Sequence, residues 1–266
     1  MATITKIAIQ RRNAERYNIF LDGTYAFSVD EEVLARFQLK KGKKLTEDEI
    51  GNILHEDDIR KGMHIAVKYL SFRMRSEKEI RDHLRSKNIA EENISAIMDK
   101  LQQYSYIDDQ AFAKAYVRTQ INTTKKGPEL VRKSLEKKGI NDQFIDIAMQ
   151  EFDETIILAH TMKLASKIMK QKNRYSHKQL TEKIQQTLLR KGYSYETMTK
   201  TLAKLQPEKN EEEEWRALQA QGMKTHRRYR KYDGREYEQK MKRSLYRKGF
   251  ALEQIERFLE EIREEK

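Results

Sequence analysis

The chain has 266 residues, and the groups in it that could do chemistry are six histidines and 42 carboxylates, with no cysteine. His55, His64, His83, His160, His177 and His226 fall at no metal-ligand spacing, and H-E-x-x-H is absent. Each is expected to be a surface or half-buried helix residue. Neither G-x-x-x-x-G-K-[ST] nor G-x-G-x-x-G occurs, so no phosphate-cradling loop is expected. Without cysteine there is no thiolate, disulfide or cysteine-held zinc. Carboxylate pairs are frequent, Asp108-Asp109 the most tempting, but none lies in an apolar run that would raise a pKa for acid–base work. A helix start explains that pair better. No catalytic, cofactor or metal site is expected, and the chain does not read as an enzyme.

What remains is positive charge, and it is unevenly placed. The net charge is +12 overall, but zero over 1–56, zero over 57–110 and +1 over 111–154. It is +9 over 155–207, from 11 basic and 2 acidic residues, and +2 over 208–266. Within that last stretch, 224–248 alone has 11 basic residues against 3 acidic ones. Such an excess should attract a polyanion or an acidic protein surface. Lys167, Lys170, Lys172, Arg174, Lys178, Lys183, Arg190 and Lys191 have only Glu182 and Glu196 as local acids. They are candidate contacts, because a plain solvated surface mixes its signs. THRRYRKYDGREY (225–237) sets Arg227, Arg228, Arg230 and Lys231 among Tyr229, Tyr232 and Tyr237. That interleaving could pair phosphates and stack bases, or form a solvated helix face. Lys242, Arg243, Arg247 and Lys248 extend the set. The Glu211–Glu214 run could pair with this basic surface or simply begin a helix.

The elements that carry these charges repeat. HLRSKNIAEENI (83–94), SLEKKGINDQFI (134–145), TLLRKGYSYETM (187–198) and SLYRKGFALEQI (244–255) share one template. Aligned on Leu84, Leu135, Leu188 and Leu245, their spacings are 51, 53 and 57 residues. One helical turn earlier stand Ile80, Val131, Ile184 and Met241. Four residues later come Asn88, Gly139, Gly192 and Gly249, types that accept the left-handed backbone just past a helix end. Ile89, Ile140, Tyr193 and Phe250 follow. In a Schellman ending that apolar residue packs back on the leucine, and as a staple it also packs on the next helix, at Ile94, Ile145, Met198 and Ile255. Asn141 and Ser194 are good N-caps; Ala90 and Ala251 are poor ones.

Acidic residues at Asp57-Asp58, Asp108-Asp109, Asp153-Glu154 and Glu211–Glu214 suit the start of a preceding helix. The distance from that start to the corner leucine is longer in the last two copies, which predicts a first helix about two turns longer there. In 1–56, ERYNIFLDGTYAFSV centres two β-rich runs on Asp22-Gly23, and ITKIAIQ could add a third strand. Short helices are expected at 31–37 and 47–54. The chain is therefore expected to be mainly α: tandem three-helix repeats in an extended, curved array, with a small N-terminal β-rich cap. The expected boundaries are 1–56 for the cap, then 57–107, 108–153, 154–207 and 208–266 for the repeats. With no signal-like or membrane-length apolar run, a soluble cytoplasmic protein is expected.

YIDDQAFAKAYVR (106–118), followed by KGPELVRKSLEKKGI (126–140), resembles the signature region of the RecX family of RecA regulators. The L-x-x-K-G-apolar corner is similar to that family's tandem repeats, and the cap and fourth repeat resemble its longer forms. The resemblance implies a non-enzymatic monomer without cofactors. It would bind the RecA–single-stranded DNA filament and mainly inhibit recombinase, ATPase and co-protease activities in DNA repair. Phe112, Tyr116 and Arg118 lie in the family-like motif; Phe112 reads as packing and Arg118 as a surface charge or a contact. The alternative is a non-specific binder of single- or double-stranded DNA that uses the helix–turn–helix corners and basic half. Against sequence-specific readout, the corners share no Arg/Asn/Gln pattern.

Overall fold

The computed structural model describes residues 1–11, 13–205 and 210–264. Strands β1 (Ala2–Gln10), β2 (Asn13–Leu21), β3 (Thr24–Asp30) and β4 (Lys44–Leu45) form an antiparallel sheet in the order β3-β2-β1-β4. The β2–β3 turn is the expected one: Asp22 and Gly23 have φ of 47° and 89°, the left-handed pair a tight hairpin needs. Ile4, Ile19, Val29, Leu45 and Ile53 form the core beneath it.

Helix α1 (Glu31–Arg36) follows, then α2 (Glu47–Leu70), opened by a reciprocal Thr46–Glu49 capping box. The short helix expected at 47–54 and the helix start expected at Asp57-Asp58 are one helix, which runs straight across the expected 56/57 boundary. Asp57 is no helix start. It is fully buried, and its carboxylate accepts from Arg16 Nη2 at 2.8 Å, the Asp30 amide at 2.8 Å and Lys61 Nζ at 3.0 Å. Burial pushes this carboxyl up, but the bonds from Arg16, Asp30 and Lys61 outweigh it and hold the pKa below the usual aspartate value.

The remaining helices are α3 (Glu77–Ser86), α4 (Glu91–Gln103), α5 (Asp109–Thr123), α6 (Pro128–Lys137), α7 (Asp142–Met149) and α8 (Glu154–Met169). After them come α9 (His177–Arg190), α10 (Tyr195–Leu205), α11 (Glu211–Tyr229), α12 (Gly234–Arg247) and α13 (Leu252–Glu264). Two compact units result: Met1–Ala115 with Leu135–Asp146, and Tyr116–Ser134 with Ile147–Lys266.

All four corners share one geometry. The amides of Ile89, Ile140, Tyr193 and Phe250 donate to the carbonyls of Leu84, Leu135, Leu188 and Leu245 at 3.1–3.4 Å. The amides of Asn88, Gly139, Gly192 and Gly249 close the inner bond, with φ between 60° and 95°. That is the Schellman pair. The four leucines are fully buried, each worth about 1.5–3 kcal/mol of transfer free energy. Asn141 and Ser194 cap as expected, while Ala90 makes no side-chain cap.

The extra length of the last two repeats lies only partly where expected. Helices α9 and α12 have 14 residues against 10 in α3 and α6, one added turn in the second helix. The first helix α8 has 16 residues against 15 in α5, and α11 has 19. Start-to-leucine distance reports only the sum of the two helices and their turn.

Within each unit the corner of one repeat docks on the second-helix N-terminus of the repeat before it. In the first unit the Ser76 hydroxyl, which caps α3, donates to the Lys138 carbonyl at 2.8 Å, and Gly139 lies on Lys78. In the second unit the Ser176 hydroxyl, which caps α9, donates to the Lys248 carbonyl, and Gly249 lies on Lys178. At the third junction the Gly127 amide donates to the Lys191 carbonyl at 2.6 Å, and Gly192 lies on Leu130. A carboxylate completes two of the three: Asp109 accepts from the Glu77 amide at 2.8 Å and Glu214 from the His177 amide at 3.0 Å. At the Gly127 junction the residue matching Glu77 and His177 is Pro128, which has no amide hydrogen to satisfy. Ile157 stands there in place of the acid, 31 residues before Leu188 as Glu214 is before Leu245.

Candidate functional site: basic clusters at the repeat junctions

The junctions also decide which charges are left unpaired. In the first unit Lys138 Nζ meets Glu79 Oε1 at 2.8 Å, and Arg73 meets the same oxygen at 3.1 Å. Burial raises the Glu79 carboxyl, but the bonds from Lys138 and the Ser76 amide outweigh it and hold the pKa low. Glu79 is the third residue after its cap. The matching positions in the second unit are Leu130 and Gln179, which cannot neutralise Lys191 and Lys248.

Two clusters of like charge follow. Desolvation, then the charges of Lys163, Lys167 and Lys191, push the Lys125 ammonium below its usual pKa. Lys125 and Lys191 are brought together by two bonds: the Tyr193 hydroxyl donates to the Lys125 carbonyl at 3.3 Å, two residues from the Gly127–Lys191 backbone bond. His160 is lowered by desolvation and then by Lys125 and Lys163, so this end of α8 disfavours a further proton. In the second cluster, desolvation and then Lys224, Arg228 and Arg247 lower Lys248, whose Nζ among the described residues reaches only neutral oxygens, Gln221 Oε1 at 2.9 Å and Thr225 Oγ1 at 3.2 Å. Tyr175 is lowered by the Lys183 hydrogen bond, with Lys224 and Arg174 contributing, and Lys183 Nζ sits 3.1 Å from its ring centroid. Among the described residues, none of Lys125, Lys163, Lys167, Lys191, Arg174, Lys224, Arg228 and Arg247 makes an ion pair.

The structure therefore sorts the expected contacts. Lys167 and Lys191 join the first cluster; Arg174, Lys183, Arg228, Arg247 and Lys248 join the second. Lys172 pairs with Glu213, so the glutamate run does meet the basic surface, and Glu214 serves the junction. Lys178 supports Gly249 with its stem. Lys242 pairs with Glu256 at 2.8 Å and Glu238 at 3.1 Å, and Arg118 with Glu151 at 2.8 Å. Lys170, Arg190, Arg227, Arg230, Lys231 and Arg243 are exposed or half-buried outside both clusters.

The tyrosines of 225–237 are not free stacking platforms. Tyr229 packs on the α11–α13 core, Tyr237 Oη bonds His226 Nδ1 at 2.7 Å, and Lys240 covers the Tyr232 ring at 4.3 Å. Sequence reasoning missed Lys125, Lys163 and Lys224. The signal was helical spacing: Lys163 is one turn before Lys167, and Lys224 one turn before Arg228. Among the described residues no group of three His, Cys, Asp or Glu side chains could hold a metal, and no helix is long and apolar enough to cross a membrane.

These features define a class: a tandem three-helix repeat protein whose distinguishing surface is charge gathered at repeat junctions. Family models agree repeat by repeat. Residues 2–46 match the "Regulatory protein RecX N-terminal domain", 63–101 the first RecX three-helix domain and 108–149 the second. Residues 156–202 and 211–259 both match the third, in keeping with the longer second helix those repeats share. The chain is 45% identical to the regulatory protein RecX of Geobacillus sp. (strain WCH70), covering 99% of this chain and 98% of that one. It is 44% identical to that of Bacillus licheniformis, covering 98% and 99%. A crystal structure of regulatory protein RecX superimposes with a TM-score of 0.67 at 38% identity, covering 76% of this chain and 100% of that one. RecX from Lactobacillus salivarius gives 0.54 at 37%, covering 57% and 98%. The chain belongs to the RecX family of regulatory proteins, which is not a family of enzymes.

Proposed function

We propose that this protein regulates RecA by binding the RecA–single-stranded DNA filament, and that it mainly inhibits recombinase, ATPase and co-protease activities in DNA repair. Membership of the RecX family supports the regulatory role. The observation that carries the filament reading is the loss of the neutralising acid: Glu79 has no counterpart at the two junctions of the second unit, which leaves homologous basic clusters there. A filament offers acidic protein surface and phosphates together, repeated from subunit to subunit. Clusters repeated along one chain suit such a target, because each added contact is intramolecular once the first has formed. On this reading the protein is a cytoplasmic monomer that acts without catalysis, through an N-terminal cap that shares α2 with the first repeat and through further repeats at 108–153, 154–207 and 208–266.

The second reading is non-specific DNA binding, and the same clusters favour it as an accompaniment. A groove-reading role for the corners is disfavoured, because Gly139, Gly192 and Gly249 are packed against neighbouring helix starts. Charge reversal at Lys167, Lys191, Lys224 and Arg247 is expected to weaken filament binding at every DNA sequence. It should also lower the salt slope by about 1 for each phosphate that the variant no longer neutralises. Affinity titrations at several salt concentrations check this, with helix content followed by circular dichroism. Unchanged affinity and slope in a folded variant would rule the clusters out.

A further inference from the structure

Three junctions in this chain obey one rule, and its first and last repeats break it. The receiving side offers a hydrogen to the corner carbonyl, from the Ser76 hydroxyl, the Gly127 amide or the Ser176 hydroxyl. The delivered side is a glycine. A Cβ at Gly139 would lie 2.8 Å from Lys78 Cδ, at Gly192 2.8 Å from the Leu130 amide nitrogen, and at Gly249 2.5 Å from Lys178 Cβ. Each approach therefore excludes a side chain.

Among the described residues no repeat precedes the first to receive its corner, and none follows the last to deliver one. At the first corner the left-handed residue is Asn88, with φ of 60°. It is exposed, and Ile89 is only half-buried where Ile140, Tyr193 and Phe250 are buried. Asparagine satisfies the backbone but carries the side chain that docking forbids. At the last acceptor, the position of Ser76 and Ser176 is Asp233, whose exposed side chain makes no cap bond; Gly234 beside it has open space around it. A carboxylate has no hydrogen to donate and repels a carbonyl oxygen.

We propose that Asn88 and Asp233 are end blocks. They stop the first corner of one copy from docking on the α12 N-terminus of a second copy, a head-to-tail contact that would otherwise propagate into a filament of this protein itself. The interaction surface is thus present at both ends and disabled at both. This inference is independent of the RecA reading.

Sedimentation equilibrium of the full chain tests it. The wild type should keep the mass of one chain as concentration rises, whereas Asn88→Gly/Asp233→Ser should grow in mass with concentration beyond two chains. Each single variant alone should stay at one chain. Mixing Asn88→Gly with Asp233→Ser should give a dimer of one of each and nothing longer, since each partner keeps one block. Both substitutions install a residue found at the matching position of another repeat, and circular dichroism verifies that the variants are folded. A folded double variant that stays at one chain, or a mixture that does not pair, would overturn the proposal, as would a wild type that associates equally well.

Discussion

Gly249→Ala is expected to destabilise the second unit by about 2–5 kcal/mol, whereas Asn88→Ala at the matching corner of the first repeat should cost about 1 kcal/mol. The two corners have the same hydrogen bonds and both use the left-handed backbone. A Cβ in that conformation costs roughly 1–2 kcal/mol wherever it occurs. Only at Gly249 would the new methyl also meet a neighbour, 2.5 Å from Lys178 Cβ, and that atom is held by the α9 backbone rather than free to swing aside. Forcing the two apart adds about 1–3 kcal/mol. Asn88 already carries a Cβ, so its replacement loses only the asparagine's local preference. Urea unfolding of the two variants beside the wild type gives the difference. Equal costs would mean that glycine serves the turn alone and that docking plays no part in its choice.

Asp57→Ala is expected to cost the first unit about 3–5 kcal/mol, the usual consequence of removing one partner of a buried ion pair. The loss strands Arg16, whose side chain is 15% exposed, and leaves the buried Asp30 amide without its acceptor. The same carboxylate gives the unit an acid limit. Its folded pKa lies below the unfolded value, so its stabilisation is complete above the unfolded aspartate pKa of about 3.9 and disappears as pH falls through the lower folded value. Glu79 acts in the same direction. Asp57→Asn should therefore lower stability at neutral pH and flatten its decline towards acid. Thermal melts across that pH range check both. A variant as stable as the wild type at neutral pH, with an unchanged acid limb, would show that the buried pair is dispensable.

The parts of this structure that were legible in the sequence are those encoded locally. The Asp22-Gly23 hairpin and the four corners each need a left-handed residue at a fixed offset from apolar neighbours, and both requirements are written within a dozen residues. Asp57 misled because an acidic pair before an apolar run looks like a helix start, while its partner Arg16 stands 41 residues away. The added turn in α9 and α12 was misplaced because one distance cannot apportion length between two helices. The candidate site was half legible. Charge density pointed to the right half of the chain, but it could not separate Lys172, which pairs with Glu213, from Lys167, which pairs with no acid among the described residues. Clustering depends on the junction, which brings Lys125 beside Lys191 through the Tyr193 hydroxyl and the Gly127–Lys191 backbone bond. The replacement of Glu79 by Leu130 and Gln179 was visible in the sequence, yet it gains meaning only once Lys138 is seen to reach Glu79.

Regulation of the filament by bound repeats, without a reactive centre, is tested most directly by RecA-dependent ATP hydrolysis on single-stranded DNA, with this protein titrated from far below one per RecA. Inhibition should set in at those low ratios and persist when extra single-stranded DNA is added. Inhibition that appears only when the protein saturates the DNA, and vanishes with DNA in excess, would contradict filament binding and leave simple competition for DNA.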